Sequence, residues 1–198
     1  MKKILLMAAF AVASLTANAQ SYIGGTIGFS NSKTEGGVTK VTNFTIAPEF
    51  GTALNDQLGV GIALGFGSNK RTLKETTGDI DVTTTTFTVN PYLRYHALEI
   101  GKVNVFVDGG VYFDYEKTKD YKPGIGVGLN VAPGLAYNLT DKISIVAKAN
   151  NLLSIGYSKS PVRDTPNAPD AANAFNANVN TLNNFSAASL VFGFYYNF

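Results

Sequence analysis

Leu190-Val191-Phe192-Gly193-Phe194-Tyr195-Tyr196-Asn197-Phe198 is the last stretch of the chain, and its side chains alternate strictly. Counted back from the C-terminus, every second residue is large and apolar: Phe198, Tyr196, Phe194, Phe192 and Leu190. A period of two is typical of a β-strand with one apolar face. The stretch therefore predicts a final strand that presents a continuous apolar surface on one side.

The opposite end of the chain has the pattern of a secretory signal peptide. Lys2-Lys3 is followed by an apolar run over residues 4–15 and by the small-x-small motif Ala17-Asn18-Ala19. This pattern predicts cleavage between Ala19 and Gln20, which gives a signal peptide over 1–19 and a mature domain over 20–198. No later apolar run reaches the roughly 20 residues that a membrane-spanning helix needs, so a membrane-spanning chain would have to cross as strands.

Composition excludes several classes of function. The chain has 198 residues, which suits one domain, and its net charge of +2 is too small to indicate nucleic acid as a partner. Cysteine is absent, which excludes disulfides and thiolate metal sites. No metal-ligand cluster is visible either, so we predict no metal and no cofactor.

The alternation continues through the mature chain and predicts about eight strands joined by short turns and long loops in turn. The predicted strands are 21–30, 43–52, 58–68, 83–95, 103–115, 124–139, 143–155 and the closing stretch 190–198. The predicted long loops are 31–41, 69–82, 117–123 and 157–184. In the last loop, the spacing of Phe175, Val179 and Leu182 behind a capping Asp170 predicts a helical turn.

The face opposite the apolar one indicates what each side of the sheet contacts. In the third strand it carries Gly59, Gly61, Ala63, Gly65 and Gly67 rather than the Lys and Glu of a water-facing surface. Small residues inside and bulky apolar residues outside match a barrel in lipid. The predicted fold is all-β: an eight-stranded antiparallel up-and-down transmembrane β-barrel, with short periplasmic turns and long extracellular loops.

At this point the chain resembles a known family. Its Phe-ended last strand resembles the C-terminal assembly signal of bacterial outer-membrane barrels, carried by Leu190, Phe192, Phe194, Tyr196 and Phe198. Over essentially the whole mature sequence, the chain resembles the small eight-stranded barrels of the OmpA/OmpX type, without the peptidoglycan-binding domain of longer relatives. The resemblance implies export to the outer membrane of a Gram-negative bacterium, insertion by the barrel-assembly machinery, and contact with outer-membrane lipid and lipopolysaccharide.

Parity places five charged side chains inside the predicted barrel, where an unpaired charge is costly. They are Glu49, Arg94, Asp108, Asp114 and Lys148. We predict that they form a salt-bridge network, with Arg94 held by Glu49 and Asp108; a gated polar path is the alternative. Pro48, Pro91 and Pro133 fall in strand interiors, where proline cannot donate a ladder hydrogen bond, so they predict bulges or local irregularity.

No residue is predicted to be catalytic. His96 is the one histidine, and it adjoins a short turn at the predicted periplasmic end, away from outer-leaflet lipid. The leading function is a structural or surface-interaction barrel whose loops contact lipid, host or neighbouring cells. A narrow transport or ligand-binding barrel for a small solute is the alternative, and a lipid-modifying enzyme is a weaker one.

Overall fold

The computed structural model describes residues 20–34, 39–75, 78–149, 152–163, 173–179 and 190–198. The predicted signal peptide, including Ala19, lies outside these ranges. Within them, no helix has the length and apolar composition needed to cross a membrane.

Every regular element in the described ranges is a β-strand. The strands are β1 (Ser21–Lys33), β2 (Thr39–Ala53), β3 (Leu58–Glu75), β4 (Gly78–Ile100), β5 (Val103–Thr118), β6 (Tyr121–Lys122), β7 (Gly124–Asn138), β8 (Ile143–Ala149), β9 (Leu153–Lys159), β10 (Val162–Arg163), β11 (Asn173–Val179) and β12 (Leu190–Asn197). The predicted all-β class is confirmed.

These strands form an eight-stranded antiparallel barrel. β1 to β5 and then β7 pair in chain order, and β8 and β9 share the seventh position because both pair with β7. β12 and β11 share the eighth, pairing with β8 and β9 respectively. Closure joins β12 to β1 from Tyr22↔Asn197 to Ile27↔Phe192. The remaining short strands, β6 and β10, pair with each other. The predicted up-and-down barrel is confirmed.

The wall separates apolar from polar side chains by the period of two. Large apolar residues project outward and stay exposed, including Leu64 and Phe66 on β3 and Phe192 and Phe194 on β12. The alternate positions face inward and are small or polar. Such a broad exposed apolar band is stable only against lipid, and closure pairs the backbone groups that hydrocarbon cannot satisfy. The barrel is therefore built to span a membrane.

Two of the predicted loops are largely strand. β3 and β4 pair from Leu58↔Tyr95 up to Glu75↔Gly78, so residues 69–75 and 78–82 form the end of a long hairpin. Thr-rich sequence favours this extension, because β-branched residues suit strands. An exposed ion pair links Lys70 to Asp81, with Nζ and Oδ2 2.7 Å apart. Hydrogen bonds from Lys70 and Thr72 to the Asp81 carboxylate lower the pKa of Asp81. Similarly, β1 and β2 extend through most of 31–41.

The helical turn predicted for the last loop is wrong where the structure describes it. Residues 173–179 form β11, whose pairing with β9 runs from Asn173↔Lys159 to Val179↔Leu153. The ladder to β9 satisfies the backbone on that side, which outweighs the weak helical spacing of Phe175 and Val179. Asp170 and Leu182 lie outside the described residues.

The strand prolines pair on the side of the preceding barrel strand: Pro48, Pro91 and Pro133 pair with Gly25, Ile62 and Val107. Toward the following strand, the ladder is interrupted at Pro48 and Pro91 and at the residue before each, because proline has no N–H to donate. At Pro48 and Pro91 the register is the same on both sides of the gap, so the predicted irregularity is present there without a bulge. The bulge of β4 lies nearer the short-turn end of the strand, between His96 and Leu98.

Candidate functional site

Four of the five predicted interior charges meet in the middle of the lumen. Glu49 on β2, Arg94 on β4, Asp108 on β5 and Lys148 on β8 all take inward positions, and their side chains are 2% to 10% exposed. We call these four residues the lumen plug. Its formal charges, two positive and two negative, cancel.

Each charge of the plug touches two of the opposite sign. Arg94 binds Asp108 in a two-point fork, with Nε to Oδ1 at 2.7 Å and Nη2 to Oδ2 at 2.8 Å. Its Nη2 also lies 3.7 Å from Glu49 Oε2. Lys148 Nζ donates to Glu49 Oε1 and lies as close to Asp108 Oδ2, at 2.9 Å in each case. Charge-assisted bonds of this geometry are the strong kind, and here they close a ring across the barrel.

An aromatic collar surrounds Arg94 and completes the closure. The guanidinium lies over four rings: Phe106 at 3.9 Å, Tyr22 at 4.9 Å, Tyr195 at 5.1 Å and Tyr92 at 5.4 Å from the ring centroids. Tyr195 Oη donates to Glu49 Oε2 at 2.8 Å and accepts from Arg94 Nη2 at 3.0 Å. The collar therefore adds cation–π contacts and hydrogen bonds to the ion pairs.

Two members of the collar were not predicted. Tyr22 and Tyr195 lie on the two strands that close the barrel, and their rings are 4.6 Å apart. The available signal was their parity: Tyr195 lies between the outward Phe194 and Tyr196, and Tyr22 directly precedes the outward Ile23. Tyr22 Oη also hydrogen bonds to Tyr92 Oη at 2.6 Å.

Glycine provides the space that the collar needs. Small residues face large ones at Gly61, where an added Cβ would clash with Tyr92, and at Gly134, where it would clash with Phe106. Gly128 has the same relation to Tyr112. A side chain at any of these positions would displace an aromatic ring of the lumen.

One cavity lies on each side of the plug. The cavity on the long-loop side, which we call the outer cavity, has a volume of about 260 Å³ and is lined by Thr26, Thr88, Tyr112 and Asp114, with Glu49 and Lys148 at its floor. The inner one, of about 640 Å³, lies at the short-turn end and is lined by Tyr22, Arg94, Phe106 and His96 among others. No described residue lines both cavities, so the plug and its collar separate them.

Asp114 lies apart from the plug. It accepts a hydrogen bond from Thr88 Oγ1 at 2.6 Å and lines the outer cavity. Among the described residues, no ion pair is recorded for it. Its place two positions above Tyr112 on β5 puts it nearer the long-loop end than Asp108.

The Asn90 side chain bridges the gap that Pro91 leaves in the wall. The hydrogen-bonding pattern assigns the orientation of its side-chain amide. In that orientation the nitrogen donates to the carbonyl oxygens of Pro91 and Val111, each at 3.2 Å, and the oxygen accepts from Asn130 at 3.1 Å. These bonds replace the ladder contact that proline cannot make. Asn90 is therefore a positioning residue directly above Tyr92 in the lumen.

Replacing Asn90 with alanine is expected to lower the free energy of unfolding by about 1–3 kcal/mol, because carbonyls inside the barrel lose their donor. Chemical unfolding followed by circular dichroism measures the change. Asn31→Ala is the control, since Asn31 donates to Thr42 at an exposed site; its effect should stay within about 0.5 kcal/mol. Equal effects of the two substitutions would contradict the bridging role.

The other sequence-predicted residues lie on the outer face of the last strand and at the short-turn end of the barrel. Phe192, Phe194, Tyr196 and Phe198 all project outward, with exposed fractions of 41% to 61%, and Leu190 at the start of the strand is half-buried. Gln20 lies at the short-turn end, where its carbonyl accepts from Ala53 N at 2.8 Å. His96 Nδ1 hydrogen bonds to Asn104 Oδ1 at 3.0 Å beside the inner cavity. The described ranges contain no group of three or more His, Cys, Asp or Glu placed to hold a metal.

Comparison with known proteins agrees with this architecture. Residues 4–198 match the family model described as outer membrane protein beta-barrel domain. Among solved structures, the chain is similar to the outer membrane protein OprG from Pseudomonas aeruginosa, with a TM-score of 0.56 and 15% identity over 91% of this chain and 96% of that one. At this identity the likeness shows the fold alone.

Two further solved structures are less similar. Neisserial surface protein A has a TM-score of 0.44 at 12% identity, over 91% of this chain and 96% of that one. The attachment invasion locus protein Ail of Yersinia pestis has a TM-score of 0.39 at 15% identity, over 91% and 99%. No curated protein matches the sequence. The match to the family model covers nearly the whole chain and confirms the resemblance drawn from the sequence: the chain belongs to the outer membrane protein β-barrel domain family.

Proposed function

We propose that this chain is a closed barrel with a structural or surface-interaction role, in which the long-loop end faces the cell exterior. The barrel is an integral protein of the bacterial outer membrane. One observation supports the closed state: the lumen plug and its aromatic collar separate the two cavities. A barrel that passes no solute acts through its surfaces, which are the lipid-facing wall and the outer loops.

The interior of an eight-stranded barrel is just wide enough for side chains to fill it. Here the filling is held by ion pairs at 2.7 to 2.9 Å rather than by packing alone. Opening a path would require breaking several of these contacts together. That favours a stably closed lumen over a channel that opens readily.

The wild-type barrel is expected to give no stable conductance steps in a planar lipid bilayer. The double variant Glu49→Ala with Arg94→Ala should conduct, because it removes one charge of each sign from the centre of the lumen. The remaining Lys148–Asp108 pair, at 2.9 Å, keeps the lumen neutral and favours folding. Single-channel recording in potassium chloride measures both proteins.

The matched control is Asp114→Ala, which shortens a lumen acid outside the plug and should leave the bilayer silent. Stable conductance steps in the wild type would overturn the closed state. They would favour the second candidate, a narrow transport or binding barrel. That candidate has its own support in the outer cavity of about 260 Å³, whose lining is rich in hydroxyl and amide groups.

We also propose that the chain is not an enzyme. His96 lies at the short-turn end with Asn104 as its hydrogen-bond partner, and this end faces the periplasm in the proposed orientation. The partners that this proposal expects are the barrel-assembly machinery during insertion and a host or cell-surface ligand at the loops.

A further inference from the structure

The charges that line the two lumen cavities divide unevenly. Arg94 lines the inner cavity and not the outer one, whereas Glu49, Asp108 and Lys148 line the outer one. Asp114 lines it as well, so the outer cavity holds three carboxylates and one ammonium, a formal charge of −2. Because the plug as a whole is neutral, the negative charge that it leaves unbalanced in this cavity is that of Asp114.

The residues that pair beside Asp114 in the wall carry no charge. Along the ladder they are Thr88 and then Gly65 on one side, and Gly126 and then Ser158 on the other. Thr88 donates to Asp114 Oδ1 at 2.6 Å, and no bond to Oδ2 is recorded within the described ranges. A carboxylate in a narrow lumen is costly without a counter-charge, and the described part of the chain offers this one a single hydrogen bond and no cation.

A second polar group of the same cavity is buried without a recorded partner. Thr26 is 5% exposed, faces the lumen from β1 and lines the outer cavity. Its neighbours along the ladder, Gly193 and Ala47, are small and have no polar side-chain atoms. No hydrogen bond of the Thr26 hydroxyl is recorded among the described residues. Since a buried hydroxyl that makes no hydrogen bond costs free energy, Thr26 marks a point where a bound solute would gain one.

Asp114 and Thr26 lie at different heights above the plug. Glu49 and Asp108 mark the level of the plug, because both carboxylates contact the ammonium of its lysine at 2.9 Å. Asp114 lies six residues beyond Asp108 on β5, and Thr26 lies two residues beyond Gly24, the partner of Glu49. At about 3.3 Å per residue and a tilt near 40°, this difference of four residues is roughly 10 Å along the barrel axis. A solute that reaches both groups is therefore elongated.

We propose that the outer cavity binds a short aliphatic primary amine whose other end carries a hydrogen-bonding group. The ammonium donates to Asp114 Oδ2 and supplies the counter-charge, and the polar end bonds to Thr26. A four-carbon chain with a hydrogen bond of about 2.9 Å at each end covers a span of the order of 10 Å. The cavity volume of about 260 Å³ lies just below the roughly 300–1,000 Å³ of pockets for drug-sized ligands, so it suits such a small solute.

This inference rests on the closed lumen proposed above, because a closed floor makes the outer cavity a pocket that the solute enters and leaves from the long-loop side. Glu116 lies two residues nearer that side than Asp114, on the same face of β5. Its charge extends the negative field toward the mouth of the barrel, where it attracts cations. The closed barrel thus gains a capture site for one chemical class of solute.

The test titrates 4-aminobutanol into the isotope-labelled mature barrel in detergent micelles and follows the backbone amide resonances by NMR. Saturable shifts are expected at Gly126 and Ala47, the ladder neighbours of Asp114 and Thr26, with a Kd in the millimolar range because so small a ligand makes few contacts. Asp114→Asn should raise the Kd about tenfold or more, since it removes a charged hydrogen bond. Thr26→Val keeps the shape of the side chain, loses a neutral hydrogen bond and should raise the Kd about threefold or more.

The matched control is Asp120→Asn, which removes the same charge from an exposed turn at the same end of the barrel. Asparagine tolerates the positive φ of 63° at this position, so the turn should keep its conformation. The Kd of this variant should change less than about twofold. Equal losses of affinity in Asp114→Asn and Asp120→Asn would overturn the site, as would an unchanged Kd in Asp114→Asn.

Further arms define the ligand class. 1,4-Butanediol replaces the ammonium by a hydroxyl and should bind the wild type at least about tenfold more weakly, because the counter-charge is lost. The N-trimethyl derivative of 4-aminobutanol keeps the charge without an N–H donor and should also bind more weakly. Displacement of the amine by potassium ion at equal concentration would show an inorganic cation site and contradict the proposal. Unchanged heat-modifiable gel mobility shows that each variant is folded.

The site and the closed lumen fail separately. A silent wild-type bilayer recording without saturable shifts would reject this inference and leave the closed barrel standing. Conductance steps in the wild type together with saturable binding would reject the closed lumen and retain the amine site. Silent recordings with binding that depends on Asp114 and Thr26 would support both.

Discussion

Arg94→Met is expected to lower the free energy of unfolding of the barrel by about 3–5 kcal/mol, because it breaks a buried ion-pair network and leaves an unbalanced acid in the lumen. The remaining plug would hold Glu49 and Asp108 against Lys148 alone. Methionine keeps much of the volume beside Phe106 and Tyr195, so the loss reports on charge more than on a cavity. Urea unfolding in detergent, followed by circular dichroism, measures it.

A second variant separates charge balance from packing. Arg94→Met with Asp108→Leu removes one charge of each sign and leaves the Lys148–Glu49 pair, whose atoms are 2.9 Å apart. Replacing a buried pair by apolar side chains is often neutral, so this double variant should recover most of the stability lost by Arg94→Met. Lys70→Met is the exposed control; it breaks the pair with Asp81 and should cost less than about 1 kcal/mol. If the double variant were less stable than Arg94→Met, packing rather than charge would hold the plug.

The sequence was sufficient for the fold because the decisive signal is local. Alternation assigns each side chain to a face with no knowledge of the partner strand, and the outward and inward sets follow from it. Parity alone placed Glu49, Arg94, Asp108 and Lys148 inside. It also placed Asp114 inside, but it could not show that Asp114 lies too far along β5 to join the other four.

What the sequence could not supply depends on register around the whole barrel. Glu49 meets Lys148 across 99 residues, and that contact requires the stagger of every intervening strand. Tyr22 and Tyr195 were missed for the same reason, since they meet only where the last strand closes on the first. The lengths of the outer hairpins were also underestimated, because pairing extends strands through polar sequence that has no apolar alternation to mark it.

Deletion of Phe198 is expected to remove most of the assembled protein from the outer membrane while changing the stability of the folded barrel only slightly. In the structure, Phe198 N donates to Ser21 O at 2.9 Å and Phe198 O accepts from Ser21 N at 3.3 Å, at the end of the closing ladder. Two terminal hydrogen bonds contribute about 0.5–1.5 kcal/mol each. That is too little to prevent folding of a closed barrel, so a large loss of yield would have to arise during assembly.

The exposed ring of Phe198 indicates how this loss arises. It is 59% exposed and stacks on Tyr196 with ring centroids 6.4 Å apart, so the end of β12 presents adjacent aromatic rings on the outer surface. Phe198→Asp should reduce outer-membrane yield as the deletion does. A charge at the membrane interface costs the folded barrel only about 0–1 kcal/mol, so the folded state should stay intact and the loss of yield would arise during assembly. Phe198→Tyr should assemble normally. Phe175→Asp, which places the same charge on another highly exposed aromatic position, should also assemble normally.

Two readouts decide the matter: heat-modifiable mobility in outer-membrane fractions, and refolding of urea-unfolded protein into detergent micelles. The assembly-signal hypothesis requires the Phe198 variants to fail in cells and to refold in micelles. Normal yield and mobility in cells would disprove the signal, whereas failure in both settings would show that Phe198 acts by closing β12 onto β1. Because Phe175→Asp controls for the chemical change, a defect confined to Phe198 assigns the effect to the end of the closing strand.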